Sequence, residues 1–396
     1  MKRETSNATT ETSLPSPYAF VSHETSVEAI WSLAAKHWKG VLDDENVWMV
    51  PDQTICVKTQ REFKQLAKDV DLRSLGIHRD PVDLLVPNKS CYSRGAHAKF
   101  HVWKDFFPLH SFVRVHERIF VSTPYFSVLQ LATAHRTNRI SQNEAKRAAE
   151  EIQDIKRSLG LEDTSLTESD LVRWNNIARF VRAAQVLCDF SGTYRYVPDE
   201  KCGMLNADIA YQTKPLMSPK TFLEFVAQMP KSKGVERGRA VAAVAFASCA
   251  SPMETMLALM LSLPTSMGGF GIPRPEVNWE IPLEQSRQDL CSQSMIVGDL
   301  CWPEQRVVLE YYGWDEHFGA GPRKVADDAA RANSLTALGW TVFHATFDQV
   351  NTLEGISLLA RQLQDALGTE PTDATDLELV WRARLLAMLL PSVRHA

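Results

Sequence analysis

The stretch Met295–Gly313, Met-Ile-Val-Gly-Asp-Leu-Cys-Trp-Pro-Glu-Gln-Arg-Val-Val-Leu-Glu-Tyr-Tyr-Gly, restricts the possible folds more than any other part of the chain. Two runs of strand-forming residues, Met295–Trp302 and Arg306–Tyr312, flank Pro303-Glu304-Gln305, a pattern that predicts a β-hairpin. A turn centred on Glu304 and Gln305 sets Leu300 opposite Leu309 and Asp299 opposite Glu310. Side chains alternate along a strand, so both carboxylates leave the same face. Like charges directly opposite each other are destabilising, and a chain that keeps such a pair usually holds a cation or a shared proton between them. Glu310 also ends the apolar run Val307-Val308-Leu309, which has the character of a buried strand. These residues predict a divalent-metal site. The competing reading is a solvated hairpin face on which two acids are tolerated.

A chain of 396 residues has room for two or three domains, and its 44% hydrophobic and 23% charged content is that of an ordinary globular core with a polar surface. No apolar run is long enough to span a bilayer. Met1–Ser16 is polar and rich in Ser and Thr, without the apolar region of a signal peptide, and is expected to be a disordered tail on a cytoplasmic protein. The seven cysteines (Cys56, Cys91, Cys188, Cys202, Cys249, Cys291, Cys301) are scattered, with no paired spacing for a zinc ribbon or a disulfide framework. The formal net charge of −5 supplies no global field that would attract nucleic acid.

Along the chain, helical spacing over Ser26–Trp38 is followed by strand-like pieces at Val47–Val50 and Thr54–Val57 and a helix over Gln60–Ala67. Pro81–Pro87 has the pattern of a buried strand. Between Lys89 and Arg118, six basic residues interleave with aromatics and with His97, His101, His110 and His116. Such a segment can bind a nucleic-acid backbone or an acidic protein face, or can be a strand-rich domain with aromatics in the core and charges in water. A strand and helix follow at Val121–Ala132, with Thr123 as N-cap and Pro124 at the first helical position. Charged and apolar helical patterns cover Ser141–Leu159 and Leu166–Cys188, and Lys201–Pro219 is irregular. Ser251-Pro-Met-Glu opens an amphipathic helix. The strand Glu276–Leu283, the hairpin, a helix over Lys324–Leu338, a closing strand Gly339–Thr346 and two more helices complete the chain. The expected fold class is α/β (α+β): a disordered tail over 1–16, an N-terminal mixed domain over 17–135, a helical connector over 136–250, a hairpin-containing domain over 251–350 and C-terminal helices over 351–396.

A helix carrying Glu254, a strand, a hairpin with Asp299 and Glu310, a helix with Asp328-Ala-Ala-Arg331 and then Gly339-Trp340-Thr-Val resembles the very-short-patch-repair-like branch of the PD-(D/E)XK nuclease superfamily. The resemblance covers roughly Ser251–Val350 and implies a restriction-endonuclease-like mixed sheet flanked by helices. Upstream, Pro81–Pro87 and Val121–Ala132 look, more weakly, like the body of abortive-infection-type antitoxin regulators of bacterial toxin–antitoxin systems. The nuclease likeness implies phosphodiester hydrolysis, with Glu254, Asp299 and Glu310 holding Mg²⁺ or Mn²⁺ that activates water and neutralises phosphate charge. It implies nucleic acid as partner, DNA before RNA, and the antitoxin likeness implies a toxin or other protein partner.

Arg331 and Asp328 match a D-x-x-R pattern in which the arginine meets a phosphate or braces a carboxylate, and His317 matches a histidine that follows the hairpin. Tyr312 departs from the pattern: it stands where the family has Lys or an acid, and a phenol is a weak base and ligand at neutral pH. Glu254 also sits three residues after Ser251, the spacing of a capping box. Asp328 can serve the helix dipole alone, Arg331 can pair with Asp327 or Asp328 on the helix surface, and Trp340 suits a core better than a stacking platform. Ser251–Val350 carries six basic residues against thirteen acidic ones, a poor match to a polyphosphate. A catalytically degenerate nuclease fold serving as a non-enzymatic, antitoxin-like regulator or binding protein is therefore the alternative function.

Overall fold

The structure is a computed structural model that describes residues 17–41, 56–88, 95–104, 107–133, 142–161, 165–230, 233–282, 295–313, 322–371 and 373–391, without the side chains of 36–41, 142–144, 233 and 322–328. It is a mixed α/β protein, with three sheets among the described residues. The tail Met1–Ser16, the strand expected at Val47–Val50, His317 and the side chain of Asp328 lie outside the described residues.

The first sheet has the order β3-β2-β1-β5-β4 and is built from β1 (Ala19–Val21), β2 (Val82–Val86), β3 (Ala98–Val102), β4 (Phe112–His116) and β5 (Ile119–Ser122). Helix α1 (His23–Val41) follows β1 directly; it begins three residues before the helical spacing that starts at Ser26, and Ser26 donates its hydroxyl to the carbonyl of His23. Of the strand expected at Thr54–Val57, the structure shows an isolated bridge from Cys56 to Tyr18. Helix α2 (Gln60–Asp69) is closed by a reciprocal cap between Thr59 and Glu62. Its first residue covers the edge strand β3: Gln60 donates Nε2–H to the carbonyl of Ala98 (2.6 Å) and accepts the Ala98 N–H (3.1 Å). Thr123 caps α3 (Pro124–Thr133), which lies against α1 and α5.

Next come α4 (Gln142–Leu159) and α5 (Glu168–Ser191). Strand β6 (Arg195–Asp199), which packs against α1, forms a hairpin with β7 (Gly203–Ala210), and β7 falls within the stretch Lys201–Pro219 expected to be irregular. Proline inside Arg195-Tyr-Val-Pro-Asp199 masks the strand pattern, yet a two-stranded sheet is all edge and tolerates a proline. Helices α6 (Pro219–Ala227), α7 (Lys233–Val244) and α8 (Pro252–Ser262) lead to the last sheet.

That sheet has the order β11-β10-β9-β8, from β8 (Glu276–Ile281), β9 (Ile296–Trp302), β10 (Val307–Tyr312) and β11 (Thr341–Thr346). Strands β9 and β10 form the expected hairpin in the expected register, with Trp302 opposite Val307 and Leu300 opposite Leu309. The helix Pro322–Ala337 connects β10 to the parallel strand β11 and covers one face through Leu335. Two helices, Leu353–Ala366 and Asp376–Leu389, close the chain. The main buried cluster runs from Ala19 to Leu389, so the first sheet, the central helices and the C-terminal helices share one core. Trp174 and Trp381 stack within it at 5.1 Å. None of the described helices is long and apolar enough to cross a membrane.

Candidate functional site

Strands β8 and β9 change face together at Asn278 and Asp299. Strict alternation would keep Ile296 and Leu300 on one side of the sheet. Instead Ile296 packs with Cys301, Val308 and Leu335 in a small cluster beneath the helix Pro322–Ala337, whereas Leu300 and Trp302 join the main core. Strand β8 does the same: Val277 faces the main core, and Trp279 and Ile281 face the small cluster. The regular pairs Val277–Leu300 and Trp279–Gly298 bracket the position, and Asn278 takes the left-handed backbone conformation (φ 49°) that asparagine accommodates better than most residues. The switch places Asp299 at the boundary between two packing environments.

The carboxylates meet different neighbours there. Glu254, in the first turn of α8, is buried. Its Oε2 accepts the Ala250 N–H (2.7 Å) and the Asn278 side-chain amide (2.7 Å), and its Oε1 contacts the Ser251 hydroxyl (3.0 Å). Ser251 in turn accepts the Glu254 N–H at 3.1 Å, so the helix cap is present. Burial first, and the charge of Asp299 second, push the Glu254 carboxyl up to about 8. Asp299 accepts the Tyr311 N–H through Oδ2 at 2.7 Å. In a regular ladder that N–H would point at the backbone of β9, so the carboxylate intervenes just beyond the regular pair Leu300–Leu309.

Glu310 is buried on the face under the helix Pro322–Ala337, and Arg331 from that helix donates to its Oε2 and to the carbonyl of Val297 (2.6 Å). Burial opposes the charge on Arg331, but Glu310 chiefly, then Asp299 and Tyr312, hold its pKa above the ordinary value. Arg331 thus braces a carboxylate, one of the two roles implied by the resemblance. Burial first, then the charges of Glu310 and Asp299, push the Cys301 thiol up to about 12, with Arg331 opposing them. Tyr312 stacks on His344 of β11 (4.8 Å between centroids), and both rings line a small cleft with Glu310, Arg331 and Leu335. Trp340 is core, packed near Trp279.

The structure therefore brings Glu254, Asp299, Glu310 and Arg331 into one electrostatic neighbourhood, with Glu254 approaching from α8 and Glu310 facing the helix Pro322–Ala337. Among the described residues, no three His, Cys, Asp or Glu side chains are grouped so as to hold a metal ion. Oxygen donors suit Mg²⁺, yet Glu254 has both oxygens engaged by protein donors, and Asp299 and Glu310 each give at least one oxygen to a protein donor. The arrangement does not match a ready-made divalent site. The regular alternation that the hairpin pattern extends through Asp299 is interrupted by the switch at Asn278, a residue that the pattern does not flag. Gly298 is a second unflagged contributor, since a Cβ there would lie 2.4 Å from Cys301 Sγ and 2.7 Å from Val308 Cγ2.

No protein-family model, curated protein or solved structure matches this chain.

Proposed function

We propose that the chain is a non-catalytic regulator or binding protein built on a nuclease-like, restriction-endonuclease-type C-terminal fold. The observation that supports this is the Arg331–Glu310 pair: a guanidinium supplies positive charge at the carboxylate that the nuclease resemblance would give to a metal. Tyr312, which lacks the charge of the usual Lys or acid, points the same way. The acidic composition of Ser251–Val350 favours a basic protein partner for this part of the chain, in keeping with the antitoxin likeness of the N-terminal half.

A second reading, Mg²⁺-dependent hydrolysis of phosphodiester bonds in DNA, has its own support in the buried Glu254 and the half-buried Asp299, whose mutual repulsion a bound cation would relieve. In that reading Glu254, Asp299 and Glu310 would hold the ion, and the ion would supply an activated water and charge neutralisation at phosphate.

Calorimetric titration with Mg²⁺ and Mn²⁺, combined with plasmid nicking, separates the two. The binding-protein reading expects no saturable heat at millimolar metal and equal, background nicking by wild type and Glu310→Gln. Saturable binding that disappears in Asp299→Asn, with metal-dependent nicking that disappears in Glu310→Gln, would overturn it.

A further inference from the structure

A second polar cluster lies in the first sheet, where β1 passes into α1. Ser22, His23 and Thr25 come from that junction, Asp83 from β2, and Lys99 and His101 from the edge strand β3. The parallel register sets Asp83 beside Lys99 and Leu85 beside His101. The Asp83 carboxylate is buried (side chain 8% exposed) with both oxygens engaged: Oδ2 accepts the Thr25 hydroxyl (3.0 Å), and Oδ1 meets His101 Nε2 at 2.7 Å and Lys99 Nζ at 3.9 Å. A carboxylate that grips one imidazole nitrogen fixes the ring's orientation and leaves the other nitrogen for a ligand. His101 is 21% exposed and Lys99 64% exposed, so both reach solvent from this buried anchor.

His23 completes the cluster. Its ring stacks on His101 at 3.7 Å between centroids, with 19° between the planes. Its Nδ1 lies 3.0 Å from Ser22 Oγ, and its backbone N–H donates to Gln130 Oε1 (3.0 Å). The residue is buried and holds a left-handed backbone (φ 51°), an uncommon conformation for histidine that costs energy and clusters at functional positions. Burial first, then the charge of His101, lower its pKa well below the ordinary histidine value, with Lys99 and Arg179 adding to the effect and Asp83 opposing it. Glu24, the next residue, is removed from the local charge by a two-pronged pair with Arg182 (3.0 and 2.9 Å). Lys99 adds an ammonium at the solvent edge of the paired imidazoles.

We propose that Lys99, His101 and His23 form a binding site for a phosphate oxyanion, carried either by free phosphate or by a nucleic-acid backbone. A tetrahedral anion suits a compact ammonium beside imidazole N–H donors; with Nε2–H of His101 held by Asp83, its Nδ1 donates only from the doubly protonated ring, so the anion binds together with that proton and gains a charge-assisted hydrogen bond. The site is independent of the C-terminal acidic centre and uses no metal. It also gives a specific location to the basic, histidine-rich segment Lys89–Arg118, of which Lys99 and His101 are the members with a buried anchor.

The test is an imidazole nitrogen–proton NMR titration of the full chain with sodium phosphate, followed by competition with a short oligothymidylate. Phosphate is expected to shift the ring resonances of His101 and His23 and leave the other histidines in place. Lys99→Met, a change at an exposed side chain, is expected to weaken binding about tenfold, the loss of one charged contact; His101→Gln is expected to abolish it. Competition by the oligonucleotide assigns the oxyanion to a nucleic-acid backbone, and phosphate binding without competition assigns it to a small phosphate. Absence of any shift at millimolar phosphate, or unchanged affinity in both variants, overturns the site.

Discussion

Replacing Glu254 by Gln tests the electrostatics of the C-terminal centre most directly. The carboxyl is raised from 4.5 to about 8 in the folded chain, mainly by burial and then by Asp299. The folded state therefore keeps a proton that the unfolded chain has already lost, and stability falls as pH rises from the unfolded pKa through the folded one. At about 1.4 kcal/mol per pH unit, the loss from this group is about 1 kcal/mol by pH 5 and about 3 kcal/mol by pH 7. Glutamine fits the same hydrogen bonds: its oxygen accepts from Ala250 and Asn278, and its amide donates to Ser251 Oγ. Glu254→Gln should thus resemble wild type near pH 5 and exceed it by about 3 kcal/mol at neutral pH, with a further gain at pH 8.5. Urea unfolding followed by circular dichroism at several pH values measures this, because other titrating groups such as Asp189, itself raised to about 6, largely cancel in the difference. A difference between the two proteins that stays constant from pH 5 to pH 8.5 would refute the argument.

Two further substitutions probe the same region. Arg331→Met leaves Glu310 buried without its guanidinium and should cost about 3 kcal/mol, with most of the loss recovered in the double variant carrying Glu310→Gln; a loss below about 1 kcal/mol in urea unfolding counts against a structural ion pair. Gly298→Ala drives a methyl group against Cys301 and Val308 and should cost about 2 kcal/mol, whereas a neutral effect in the same assay means that β9 has room to shift.

The hairpin was legible in the sequence because its information is local. Alternating strand formers around Pro303-Glu304-Gln305 specify a register that needs no tertiary partner, and the cap at Ser251 is equally local. The geometry of the acids is not. Asn278 reads as an ordinary polar residue of a strand, and nothing near it announces a left-handed backbone that turns two strands over together. Arg331 has Asp327 and Asp328 within helical reach, so its pairing with Glu310 emerges only when the helix is laid on the sheet. The histidine cluster is harder still, since His23, Asp83 and His101 are far apart in the chain and meet through the order of strands in the first sheet. His101 belonged to a segment flagged by composition, but the spacing of its histidines gave no reason to single it out.

The contact between Gln60 and Ala98 bears on how the molecule behaves in a crowded solution. An uncovered strand offers its peptide groups to any passing chain, and lateral growth of that kind leads to insoluble polymer. Here a lone carboxamide imitates one peptide unit of a missing neighbour and answers both groups of Ala98. The protein thus carries a small plug of its own at the place where unwanted stacking would begin.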